Sequence, residues 1–323
     1  MTISRKFLAI AGIGAVIVGS NIATDRRWAK APNPLGSDQP RFPGTDTIMV
    51  PTNDGAEIKV DRFGAGPTVV LVHGLTSRSD DWGPVADRLV ASGHRVIGIN
   101  QRGHGGSTNG TEGYSAARQG RDLQQVFAAL GLTDFVLVGH SMGGMASMSY
   151  AVDHPQDFSQ RVAGLCLVAT LANTSDFLRR AGAKLFASRP SSSLQGDDPL
   201  SLRIRRRFAR FVLGTKPNTQ LIDFALDTAA NCPDESRIGA VLGLTTYNVE
   251  DRIVGIDVPT TVVCGTTDFV TSYGNNVKLA EMIPGATLVT IKDAGHMVLW
   301  ENPDEVTNAI AGLVPAATSA AIS

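Results

Sequence analysis

The sequence predicts an α/β fold: a mostly parallel sheet flanked by helices, with a helical segment inserted toward its C-terminal half. Three observations carry that reading. Apolar runs at 68–72, 95–99, 135–138, 164–168, 260–263 and 287–291 lack polar alternation, the pattern of strands covered on both faces. Helix-like stretches at 82–91, 118–130, 142–152, 277–282 and 305–313 separate them, which is the rhythm of a parallel sheet. Between about 172 and 250 the rhythm stops: no buried strand is legible, and helical patterns are punctuated by Ser191-Ser192-Ser193, Asp197-Asp198-Pro199 and Cys232-Pro233. With 323 residues, 43% of them hydrophobic, the chain can bury one sizeable core.

Taken in order, residues 1–24 place Arg5 and Lys6 before an unbroken apolar run from Phe7 to Gly19, the layout of a signal peptide or an uncleaved membrane anchor. Thirteen apolar residues fall short of the roughly 20 that a spanning helix wants, and extension to Ala23 keeps the anchor open. The expected product is exported, either secreted or anchored. Residues 25–44, with Pro32, Pro34, Pro40 and Pro43, read as a linker. The core is assigned to 45–171 and 251–315, a helical cap to 172–250 and a disordered tail to 316–323. Asn53-Asp54-Gly55, between strand-like stretches at 47–50 and 58–62, signals a hairpin.

Within the cap, Arg203, Arg206, Arg207 and Arg210 recur at i, i+3, i+4 and i+7, opposite Ile204, Phe208, Phe211 and Val212. Eleven Lys and Arg against eight Asp and Glu leave this stretch about three charges positive. Such a stripe is either a solvated outer face or a surface for anionic lipid head groups or a substrate carboxylate. The net charge of −1 gives no footprint for nucleic acid. Cys166, Cys232 and Cys264 are odd in number and widely spaced, so they offer neither a disulfide framework nor metal-ligand spacing. Cys166 and Cys264 read as buried, inert thiols.

The run at 135–138 leads into Gly139-His140-Ser141-Met142-Gly143 and then a helix. A Gly-x-Ser-x-Gly at a strand-to-helix turn lifts the serine hydroxyl into a cleft on a strained backbone. The helix starting at Met142 aims its unpaired N–H groups at any oxyanion formed there. A serine needs a base and a group to orient that base. Asp268 follows the strand-like 260–263, and His296 follows 287–291, both at the same sheet edge as Ser141. His73, His94, His104, His140 and His154 all precede Asp268, so only His296 fits the chain order Ser, Asp, His. Asp176, Asp257 and Asp293 are competing carboxylates near strand ends.

This order and these motifs resemble the α/β-hydrolase family, in the branch with a helical cap between the sixth and seventh strands, over about residues 45–315. The resemblance implies an α/β-hydrolase fold and a catalytic triad of Ser141, Asp268 and His296. His73-Gly74-Leu75 is similar to the family's turn whose next residue donates to the oxyanion hole, so the resemblance makes Leu75 and Met142 the donor pair. Ile99-Asn100-Gln101-Arg102-Gly103-His104-Gly105-Gly106-Ser107 is similar to a structural loop of the family, with Asn100 where aspartate is usual. His73 and His140 are expected to orient turns. The resemblance implies no metal and no organic cofactor. The expected function is a serine hydrolase of carboxylic esters, carboxylesterase-like or lipase-like, acting on a small-molecule or lipid-like ester, with membrane association through residues 7–23 and the basic cap helix. A C–C bond hydrolase, cofactor-free haloperoxidase, thioesterase or acyltransferase would use the same residues, and a ligand-binding receptor could retain the same shell.

Overall fold

The computed structural model describes residues 27–36, 40–44, 46–174, 206 and 209–314. The leader at 1–24, the tail at 316–323, most of the first half of the expected cap, and with it Asp176, Arg203 and Arg207, lie outside the described residues.

Eight strands form one sheet: β1 (Asp46–Pro51), β2 (Glu57–Phe63), β3 (Thr68–Val72), β4 (Arg95–Ile99), β5 (Phe135–His140), β6 (Val162–Val168), β7 (Thr260–Gly265) and β8 (Thr287–Ile291). Their order is β1-β2-β4-β3-β5-β6-β7-β8. β2 runs antiparallel to both its neighbours, and every other pairing is parallel. The hairpin forms where Asn53-Asp54-Gly55 predicts it, with Gly55 at φ +87°, a conformation glycine takes without strain.

The helices are α1 (Gly83–Ala91), α2 (Ala116–Ala129), α3 (Met142–Asp153), α4 (Pro155–Arg161), α5 (Thr219–Ala230), α6 (Asp234–Gly243), α7 (Tyr273–Met282), α8 (Val298–Glu301) and α9 (Pro303–Ala311). They cover both faces, which explains the unbroken apolar runs. Val70, Val72, Ile97, Leu137, Leu165 and Val262 face a cluster shared with α2 and α3. The alternate residues Val69, Leu71, Val96, Val136, Cys166 and Val263 face a second cluster with α1 and α9. β8 departs from the expected buried run: Thr287 and Thr290 are exposed because this strand is the sheet's edge and has one neighbour. The 7-residue α4 is not foreseen in the sequence; Pro155 at its first turn starts a new helix just past the end of α3. All three cysteines are free and buried, and burial pushes each thiol up to about 12.

Two stretches attach to this frame. In the segment expected as a linker, Trp28 and Phe42 are buried in the second cluster, and the Phe42 N–H donates to Asp80 at 3.0 Å. In the insert after β6, α5 buries Leu221, Ile222 and Phe224, and Phe224 meets the Trp300 ring edge-on at 4.8 Å. α6 lies against Tyr114 so closely that a Cβ on Gly239 would come within 2.3 Å of its ring. Among the described residues no helix is long and apolar enough to cross a membrane.

Candidate active site

The strand-to-helix turn after β5 is built by close approach. A side chain at Gly139 would meet the Gly143 carbonyl oxygen at 2.6 Å, and one at Gly143 would meet the Val72 carbonyl oxygen at 2.3 Å. Only glycines let the strand, the turn and α3 come this near. Ser141 is held at φ +51°, ψ −117°, a left-handed conformation that costs a residue with a Cβ roughly 1–3 kcal/mol. Bonds on both sides fix it there: its N–H donates to Val168 O at 3.0 Å, and its carbonyl accepts from Thr170 Oγ1 at 2.7 Å and Gly144 N at 3.0 Å.

The turn after β3 rests on this elbow. A Cβ on Gly74 would lie 3.2 Å from Ser141 Cβ and 3.0 Å from His140 Nδ1, so Leu75 follows directly on a residue in contact with the serine. Among the described residues the Leu75 and Met142 N–H groups donate to no backbone acceptor. Met142 is the first residue of α3, where the helix leaves its N–H groups unpaired and its dipole positive.

Asp268 lies three residues beyond β7 and is 4% exposed. Its Oδ1 accepts the N–H groups of Val270 (2.6 Å) and Thr271 (2.9 Å). Its Oδ2 accepts the Thr271 hydroxyl (2.6 Å) and His296 Nδ1 (3.0 Å). Burial alone would raise this carboxyl, but the facing imidazole and the bonds from His296 and Thr271 hold it at about 2. It is therefore an anion at neutral pH. Because a carboxylate only accepts, the network assigns the His296 proton to Nδ1 and leaves Nε2 with its lone pair. Asp257 and Asp293, its sequence competitors, are exposed.

His296 is fixed to the elbow through His140, whose Nε2 donates to the His296 carbonyl at 3.0 Å with the rings 4.8 Å apart. Burial, then the neighbouring His296, push His140 down to about 3, so it is neutral. His73 is likewise pushed down to about 3 by burial; it accepts from Gln101 N at 2.9 Å and donates to Gly74 O at 2.7 Å. Both histidines tie turns together through these bonds. Among the hydrogen bonds of the described residues none joins the Ser141 hydroxyl to His296.

Four supporting residues escape sequence reasoning. Thr271, Thr170 and Glu301 hold Asp268, Ser141 and the His296 loop respectively. Of these only Thr271 leaves a trace, since Asp-x-x-Thr is a spacing at which an aspartate caps a local turn. The fourth is Asp61, which explains the departure at Asn100. The Asn100 amide donates to Asp61 Oδ2 at 2.8 Å while its oxygen accepts from Ser79 N at 3.0 Å. A second carboxylate there would face the first. In the insert, Arg206 of the basic stripe pairs with Asp223 of α5 at 2.6 Å, and the Arg210 guanidinium lies 5.8 Å from the centre of the Phe211 ring.

The family model for the alpha/beta hydrolase fold matches residues 67–303. The chain belongs to the α/β-hydrolase family. A chain provisionally named as the carbamate hydrolase RutD of Variovorax paradoxus is 29% identical over 238 residues, 72% of this chain and 85% of that one. Lipase 3 of a Moraxella species is 28% identical over 258 residues, 75% of this chain and 76% of the lipase. Among solved structures, an esterase of Exiguobacterium antarcticum superposes with a TM-score of 0.72 at 22% identity, covering 83% of this chain and 99% of the esterase; at that identity it speaks for the fold.

Proposed function

We propose that this α/β-hydrolase cleaves carboxylic esters through an acyl-enzyme on Ser141. The observation that carries the reading is the His296 Nδ1 bond to a buried, ionised Asp268 at 3.0 Å, in a loop tied to the residue before Ser141. In this mechanism Asp268 holds the tautomer in which His296 Nε2 accepts a proton. Ser141 Oγ attacks the ester carbonyl carbon as His296 takes its proton, and the Leu75 and Met142 N–H groups stabilise the oxyanion. His296 returns the proton to the departing alcohol. Water then attacks the acyl-enzyme with the same histidine as base, freeing the acid and Ser141.

The lipase and carbamate-hydrolase names among the relatives support an acyl carbon bearing an oxygen or nitrogen leaving group as the reacting centre. The proposal extends to an exported enzyme, secreted or associated with a membrane through residues 7–23 and the basic cap segment. A panel of p-nitrophenyl esters of increasing acyl length, run on wild type and Ser141→Ala, tests it. Turnover that vanishes in the variant supports the reading. Ligand-induced thermal stabilisation without turnover would mark a receptor and refute it.

A further inference from the structure

α8 begins two residues after His296, and its last residue, Glu301, turns its side chain back under the histidine loop. The two carboxylate oxygens are divided between two chain segments. Oε2 accepts the N–H of Gly295, the residue before His296, at 2.8 Å. Oε1 accepts the N–H of Gly214, in the stretch by which the insert leaves the short helix Arg210–Val212, at 2.6 Å. The same segments are bonded backbone to backbone, Met297 N to Val212 O at 2.8 Å and Thr215 N to Asp293 O at 2.9 Å. Their approach leaves no room for side chains: a Cβ on Gly214 would lie 2.0 Å from Asp293 O, and one on Gly295 would lie 2.3 Å from the Leu213 carbonyl carbon. Three polar backbone groups around the base thus have three different holders. Gly295 N belongs to Glu301, His296 O to His140 and Met297 N to the insert.

We propose that Glu301 is a positioning residue for the base: its carboxylate fastens the insert to the His296 loop, so the setting of the imidazole depends on how the insert is docked. This rests on the role given to His296 above. Packing alone does not explain an acid here. An apolar side chain of the same size would leave two N–H groups without a partner. Burial, reinforced by the Asp268 charge, pushes the Glu301 carboxyl up to about 7; the two N–H bonds and the His296 ring pull against that rise without cancelling it, so the carboxylate is the main form only above pH 7.

Glutamine is the informative replacement, since it keeps the shape but offers one acceptor and sets an NH2 against the other N–H. The measurement, at pH 8.5 where Glu301 is ionised, is kcat and KM for a p-nitrophenyl ester per active site titrated, beside the unfolding midpoint, in wild type, Glu301→Gln, Glu301→Asp and the exposed control Asp304→Asn. A misplacement of about 1 Å at the base lowers turnover on the order of 10²-fold. The expected result is therefore a kcat lower by 10- to 100-fold in Glu301→Gln with KM within about threefold, a smaller loss in Glu301→Asp, which is too short to reach both N–H groups, and wild-type kinetics in Asp304→Asn. Should Glu301→Gln fail to fold, the same kcat and KM comparison on Glu301→Asp decides. A folded variant with wild-type kcat overturns the inference, and so does a loss that disappears once activity is expressed per titrated site. A wild-type chain without serine-dependent turnover overturns the role of His296 first and this inference with it, a failure visible before any Glu301 variant is measured.

Discussion

Replacing Asp268 by asparagine separates orientation of the base from everything else the residue does. The carboxylate accepts four bonds, two from backbone N–H groups on Oδ1 and two, from the Thr271 hydroxyl and His296, on Oδ2. An asparagine has one acceptor. Its oxygen is best used on the two backbone donors, which cannot reverse, so its NH2 falls where Oδ2 was. The Thr271 hydroxyl can rotate to accept from it. His296 can accept only by moving its proton to Nε2, the nitrogen that takes the Ser141 proton in the proposed mechanism. Loss of the productive tautomer costs about 10⁴ in kcat, or roughly 5 kcal/mol of barrier. The fold survives a smaller loss: a carboxylate held at about 2 against the ordinary 3.8 contributes about 2 kcal/mol. Its folded value is depressed, so that contribution is present above pH 3.8 and is lost as pH falls toward 2. The assay is kcat on a p-nitrophenyl ester with a thermal melt at pH 7 and again at pH 3. Asp268→Asn within tenfold of wild-type kcat, or unfolded at pH 7, would show that Asp268 does not set the His296 tautomer.

Two further outcomes follow from the geometry. Asn100→Asp sets a carboxylate where the amide donates to Asp61 at 2.8 Å. One of the two acids must then titrate upward, so the variant is less stable than wild type at pH 7 and recovers as pH falls toward 5; a stability gap that is the same at both pH values would contradict this. At the elbow, Ser141→Gly relieves the φ of +51° that Ser141→Ala retains, so the glycine variant is more stable than the alanine variant by about 1 kcal/mol and melts higher, the reverse of the usual order, and equal or inverted midpoints would show that the turn carries no strain.

Much of this was legible before coordinates. Strands buried on both faces need unbroken apolar runs, and those at 68–72 and 95–99 end where the sequence ends them; the edge strand has the expected bounds, 287–291, but not the expected burial. The Gly-x-Ser-x-Gly turn announces itself because backbone packing tolerates only glycine at 139 and 143. What stayed hidden are pairings between residues far apart in the chain, which no period or spacing encodes. Asn100 with Asp61, and Glu301 with Gly214, meet only because β2 lies beside β4 and because the insert returns along the histidine loop. Trp28 and Phe42 sit among prolines that read as a linker, yet the apolar surface beside α1 buries both.

The most direct measurement is labelling of the intact chain with a fluorophosphonate, followed by mass mapping of the adduct and repetition on His296→Ala. One adduct per chain, on Ser141, formed rapidly in wild type and slowed by orders of magnitude without the imidazole, is expected. An unmodified Ser141, or labelling at the same rate in both proteins, would contradict the proposed mechanism.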